Sequence, residues 1–167
     1  MQIQSFEPIV NEKSAVLILG TMPGLASLKA GEYYGHRDNK FWDIMFPTCI
    51  SDWTCDQMVS ADFEMKRKLL LDHHIALWDV LKFCDRKGSL DSDIVNQIHN
   101  DFQSFFAVYP NIKRVFFNGK AAADHFKALK FEESTMADKI FTTLQSTSPS
   151  NSTNSFLILN QWKQIRS

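Results

Sequence analysis

Cysteine is scarce in this chain: Cys49, Cys55 and Cys84 are the only three, widely spaced, with no CxxC pair. An odd number at such spacing builds no disulfide framework and fits a reducing cytoplasm, the expected location. It also excludes a zinc ribbon and any cluster that needs four thiolates from one chain. No apolar run approaches the roughly 20 residues that cross a bilayer, so no membrane partner is expected. The opening Met1-Gln2-Ile3-Gln4-Ser5 lacks the charged and apolar regions of a signal peptide. Excess charge of one sign is missing too: 18 Lys and Arg against 19 Asp and Glu leave a net charge of -1. That argues against a large nonspecific nucleic-acid binder, but not against an enzyme with a local basic patch.

Aromatic residues are abundant, with 14 Phe and 4 Trp, enough for a core plus a few stacking surfaces. The 167 residues suit one domain, 1–167, with a core flanked on two sides. Ala15 to Leu19 is a continuous apolar run, the pattern of a strand buried on both faces in a parallel sheet. Residues 20–38 form a long polar loop, and Phe41 to Phe46 a short helix that Pro47 would end. Residues 48–60 carry no clear pattern.

Further along, Asp62 to Asp72 reads as a helix and Ile75 to Leu81 as a second strand with its exit. Phe83 to Ser92 reads as a loop, and Ile94 to Asn100 and Phe102 to Val108 as helices. Arg114 to Phe117 is a third strand, Lys120 to Leu129 an Ala-rich helix, and Lys139 to Leu144 a fourth strand. Ser155 to Ile165 closes the chain as a helix with Phe156, Leu159 and Trp162 on one stripe. Strands alternating with helices mean parallel connections and an α/β fold, a three-layer α/β/α sandwich.

Three loops follow strands and therefore share the carboxyl rim of the sheet, where open α/β proteins hold ligands. The first contains Gly20, Thr21, Met22, Pro23 and Gly24. Two glycines permit a tight turn and close approach to a ligand, though a plain strand-exit turn explains them equally. The pentapeptide matches neither GxGxxG nor GxxxxGK[ST], so a dinucleotide or P-loop site has little support. Tyr33, Tyr34, His36 and Arg37 follow in the same loop and suit base stacking or phosphate contact; a loop packed by its own aromatics is the ordinary explanation.

Asn39 is the sharper candidate. Its carboxamide can hold a water or read an amide-like base edge. On position alone a helix cap is the plainer role. The other two loops carry Asn118, Gly119 and Lys120, and then Ser146, Thr147, Ser148, Pro149, Ser150 and Asn151, whose hydroxyls and free N–H groups suit phosphate. Arg86 and Lys87 add a small basic loop. No GxSxG elbow surrounds Ser148 or Ser150, so a serine nucleophile is not supported.

Taken together, LILGTMPG, YYGHRDNKFW, LWDVL, GSLDSDI, FFNGKAAADHF and STSPSNS resemble the uracil-DNA glycosylase superfamily from about residue 6 to the last helix. Its hypoxanthine-DNA (deoxyinosine) glycosylase branch is the most similar, and the mismatch-specific uracil/thymine branch the next. The resemblance implies a four-stranded parallel sheet, hydrolysis of an N-glycosidic bond in damaged DNA to leave an abasic site, and no metal or organic cofactor. In the mismatch-specific branch an Asn stands where this chain has Met22, and Met cannot position water. In the hypoxanthine branch the catalytic Asn precedes xFW, which is Asn39 here. By the same resemblance Gly20 to Gly24, Tyr34, His36, Phe41 and Asn118 would line the base site. Arg37, Lys120, Ser146, Ser148, Pro149, Ser150 and Asn151 would meet the DNA backbone. Arg37 replaces a common Pro two residues before the Asn, and residues 150–153 offer no large apolar wedge for a flipped-base gap. A uracil-directed glycosylase is the alternative. A noncatalytic nucleic-acid-binding domain is another, since neither a carboxylate nor a second-motif His stands among the candidate residues. A monomer acting on damaged DNA is the expected assembly.

Overall fold

The computed structural model describes residues 2–56 and 60–166. The first elements are β1 (Gln2–Gln4), β2 (Val16–Gly20), α1 (Leu25–Ala30), α2 (Phe41–Cys49) and α3 (Phe63–Asp72). Next come β3 (Ile75–Asp79), β4 (Leu81–Asp85), β5 (Val95–His99), α4 (Phe102–Val108) and β6 (Arg114–Asn118). The chain ends with α5 (Lys120–Lys127), α6 (Glu133–Met136), β7 (Ile140–Leu144), α7 (Ser155–Trp162) and a 3-10 turn over Lys163–Arg166.

Four strands form a parallel sheet in the order β3-β2-β6-β7. Every residue of β2 is buried, as its continuous apolar run requires. Its alternate side chains serve two cores. Val16 and Ile18 join Phe41, Met45, Leu70 and Trp162 on one face. Leu17 and Leu19 join Phe102, Phe106, Ala122 and Phe126 on the other. Helices thus cover both faces, the three-layer α/β/α arrangement expected from the sequence. Each large side chain so buried contributes about 1.5–3 kcal/mol.

A second, antiparallel sheet of order β1-β4-β5 was not legible in the pattern. The expected loop over Phe83 to Ser92 begins with strand residues, and the expected helix over Ile94 to Asn100 is β5. Val95 and Ile98 lie three apart, which mimics a helical stripe, yet both are exposed on an edge strand paired only with β4. Pairing, not periodicity, decided the outcome.

Three smaller corrections concern helices. The loop over 20–38 contains α1, closed by Gly31 at φ 69°, whose N–H donates to the Ser27 carbonyl. Pro47 does not end α2: it sits inside the helix, which runs on to Cys49. The Thr48 hydroxyl donates to the Ile44 carbonyl at 2.6 Å, and the Ile50 N–H to Phe46 at 2.8 Å, so the turn around the proline remains bonded. In α7 the buried stripe is Ile158 and Trp162, continued by Ile165, while Phe156 faces solvent.

Candidate active site

A cavity of about 370 Å³ opens at the carboxyl rim of the parallel sheet. The Gly20–Gly24 turn, Tyr34, His36, Asn39, Asn118 and the Ser146–Ser150 loop all line it, so the three rim loops meet as expected. Phe41 does not line it. That side chain is fully buried beneath Tyr34, with the rings stacked at 4.1 Å between centroids.

The floor lies where β2 ends. Gly20 pairs with Asp79 across the strands, and its carbonyl accepts the Val80 N–H at 2.8 Å. A Cβ on Gly20 would stand 2.6 Å from Asp79 Oδ1 and 2.8 Å from the Tyr34 hydroxyl. Glycine is therefore required here for close approach, not for a special φ. Asp79 Oδ2 and the Tyr34 hydroxyl are buried and have no partner. Such atoms each cost about 1–3 kcal/mol and call for an explanation. Burial pushes the Asp79 carboxyl up to about 7; Asp91 raises it further and Arg86 opposes the rise. Burial and the Asp79 charge also hold the Tyr34 phenol well above its usual value, with the Asn118 side chain opposing the rise, so it remains a donor.

Asp79 was not among the residues singled out in the sequence, nor was Asp91, which also lines the cavity. The expectation that the site holds no carboxylate is therefore overturned. Asp79 reads in sequence as the polar end of a strand, and only its pairing with a side-chain-free Gly20 brings it inside. Asp91 arrives from the β4–β5 connection, on a 3-10 turn over Asp91–Asp93. Desolvation of its carboxyl within the cavity raises it although the residue as a whole is exposed, while the Thr21 hydroxyl and Arg86 stabilise the charge.

That connection is fastened to the first loop. Arg86 is not a surface phosphate ligand; it is buried, donating through Nε to the Gly88 carbonyl at 3.0 Å and through Nη2 to the Pro23 carbonyl. Its Nη1 has no partner. The Leu25 N–H donates to Ser89 Oγ at 2.9 Å.

Asn39 is half-buried, lines the cavity and also bonds the start of α2. Its Oδ1 accepts the Phe41 N–H at 3.0 Å at the start of α2, although the formal cap position is Lys40. This bond fixes which end of the amide is oxygen. The second Oδ1 lone pair and the Nδ2 group are left for the cavity. His36 Nδ1 accepts the Asp38 N–H at 3.1 Å, so its remaining ring nitrogen is free to donate.

Asn118 and Thr147 are locked by two bonds, Thr147 N–H to Asn118 Oδ1 and Asn118 Nδ2 to Thr147 Oγ1, both 2.9 Å. Thr147 in turn accepts the Lys40 N–H through its carbonyl at 3.0 Å, which ties the third rim loop to the Asn39 segment. Asn151 faces away from the cavity, bonding Gln145 Oε1 and the Ser146 carbonyl. Arg37 and Lys120 stand outside it as exposed side chains paired with Asp38 and Asp124. Among the described residues no cluster of His, Cys, Asp and Glu is arranged to hold a metal, and no helix is long and apolar enough to cross a membrane.

The chain is similar to known proteins over most of its length. A hypoxanthine DNA glycosylase of Methanosarcina barkeri is 33% identical over 130 residues, 78% of this chain and 79% of that protein. A Methanosarcina acetivorans protein of the same description is 31% identical over 127 residues, 76% of this chain and 77% of its own. A solution NMR structure from M. acetivorans, provisionally described as a uracil DNA glycosylase, superposes with a TM-score of 0.81 at 28% identity, covering 99% of this chain and 98% of that one. The profile of the uracil DNA glycosylase superfamily matches residues 7–165, and this chain belongs to that superfamily.

Proposed function

We propose that this protein is a monofunctional DNA glycosylase that hydrolyses the N-glycosidic bond of hypoxanthine in DNA and leaves an abasic site. The observation that carries the reading is the pair of unpartnered buried groups, Asp79 Oδ2 and the Tyr34 hydroxyl, at the floor of a cavity that Asn39 also lines. A flipped hypoxanthine brings an N1–H donor and an O6 acceptor. The Asp79 carboxylate accepts the first and the Tyr34 phenol donates to the second. Adenine presents the reverse pattern at both atoms and leaves buried groups unpaired, which is a strong basis for rejection.

The reaction begins with extrusion of the nucleotide, at a cost of about a few kcal/mol and less for a mispaired base. Phosphates meet the exposed Arg37 and Lys120 and the Ser148–Ser150 loop. Residues 150–153 bring no wedge, but Phe156 and Leu157 are 66% and 59% exposed. Gln145, one residue past β7, is bonded to Gln161 and Trp162. Phe156 and Leu157 lie in the first turn of α7, the helix that follows the Ser146–Ser150 rim loop. This apolar pair is well placed to fill the gap left by the base. As the C1′–N9 bond stretches, Asn39 holds a water for attack on C1′. Charge developing on the purine meets Tyr34 and backbone donors.

Uracil carries the same N–H and C=O edge, so the two substrates are compared side by side. The test is release of free base from labelled duplexes containing deoxyinosine or deoxyuridine, with and without Asn39→Ala. Hypoxanthine release that disappears in the variant supports the reading. Release of uracil alone moves the protein to another branch of the superfamily, and binding without release from either leaves a noncatalytic domain.

A further inference from the structure

Asn39 does not titrate, and a carboxamide is a poor base. Hydrolysis at C1′ needs a group to relieve the attacking water of its proton and to face the positive charge that grows on the sugar. Asp79 is committed to the floor of the cavity and is closed off from solvent. Asp91 is placed differently. It lines the same cavity from the β4–β5 connection as an exposed residue, beside Thr21, one residue beyond Gly20. Its backbone is fixed, because Ile94 N–H donates to the Asp91 carbonyl at 3.3 Å. The segment before it is pinned by Arg86 to Pro23 and by Ser89 to Leu25.

Asp91 makes no salt bridge among the described residues, although it shares a pocket with a second carboxylate. Arg86 offsets only part of the repulsion between the two carboxylates. The unpartnered Asp79 Oδ2 and Tyr34 hydroxyl show that the cavity between these walls is built for a polar ligand.

We propose that Asp91 is a second catalytic group, acting on the sugar side of the flipped nucleotide while Asp79 and Tyr34 hold the base. Its negative charge faces the oxocarbenium-like sugar as the C1′–N9 bond breaks and the purine leaves with the bonding pair. The water held by Asn39 forms the new C1′–O bond, and its proton passes to the Asp91 carboxylate, which returns it to solvent. The departing purine anion takes a proton from solvent. This rests on the glycosylase reading above.

The experiment is single-turnover release of hypoxanthine from a deoxyinosine duplex by the wild-type protein, Asp91→Asn and Asp93→Asn. It is paired with affinity for a duplex carrying a 2′-fluoro-stabilised, uncleavable deoxyinosine. Asp93 shares the exposed turn but does not line the cavity. Asp91→Asn is expected to slow release by on the order of 100-fold or more. Affinity should stay within about threefold, and Asp93→Asn should keep the wild-type rate. An Asp91→Asn rate within threefold of wild type would overturn the proposal, as would a fall in affinity equal to the fall in rate. Those results leave hypoxanthine release by the wild type intact, whereas a wild-type protein that releases none removes the glycosylase reading and this proposal together.

Discussion

Gly20 and Asp79 lie opposite one another at the ends of adjacent parallel strands, so close that a methyl group on Gly20 would stand 2.6 Å from the Asp79 carboxylate. The missing side chain is what lets the carboxylate turn into the cavity. Gly20→Ala is therefore expected to abolish base release while costing about 1–3 kcal/mol of stability through overpacking. Thermal melts beside single-turnover assays check this. A variant that folds and turns over normally would mean that Asp79 has another way to sit.

Asp79 makes stability and activity depend on pH in opposite directions. Its folded value of about 7 lies above the usual 3.8. Between these values the folded state binds more protons, so stability falls as pH rises from about 4 to about 7 and then levels. Asp79→Asn removes this slope and raises stability above pH 7 by on the order of 2–4 kcal/mol. Catalytic efficiency on hypoxanthine moves the other way. The ionised carboxylate accepts N1–H, so kcat/KM should rise through pH 7, and the variant should lose that limb. Denaturant titrations and rate profiles across pH 4–9 test both.

For Asn39 the two roles separate by substitution. Asn39→Ala loses the bond to the Phe41 N–H as well as the water-holding amide, so it should lose about 1 kcal/mol of stability and at least a hundredfold in rate. Asn39→Asp keeps an acceptor for Phe41 and should melt near wild type while remaining impaired in release. Equal melting of all three proteins would show that the bond to α2 contributes nothing.

Phe156 and Leu157 offer a test of duplex opening. Both are exposed, so replacing the two with Ala should change stability by no more than about 0.5 kcal/mol each. Release from a stably paired duplex should drop roughly tenfold, with little change on single-stranded DNA, where no stack must be opened. An equal loss on both substrates would place these residues in binding rather than extrusion.

Much of this molecule follows from the sequence by itself. The uninterrupted apolar run of β2 required a strand covered on both sides, and the alternation of strands with helices required parallel connections. Parallel connections bring the loops after β2, β6 and β7 to one rim, so Asn39, Asn118 and Ser148 meet around one cavity as anticipated. What the sequence did not determine depends on contacts between distant segments. β5 is a strand because it pairs with β4, against a local spacing that suggested a helix. Arg86 is buried because the Pro23 and Gly88 carbonyls take its guanidinium. Asp79 and Asp91 enter the pocket by different routes, one across a glycine and the other on a connection fastened over the first loop. A carboxylate's surroundings are set by which backbone passes beside it, and that is a property of the tertiary fold, not of the residues next to it in the chain.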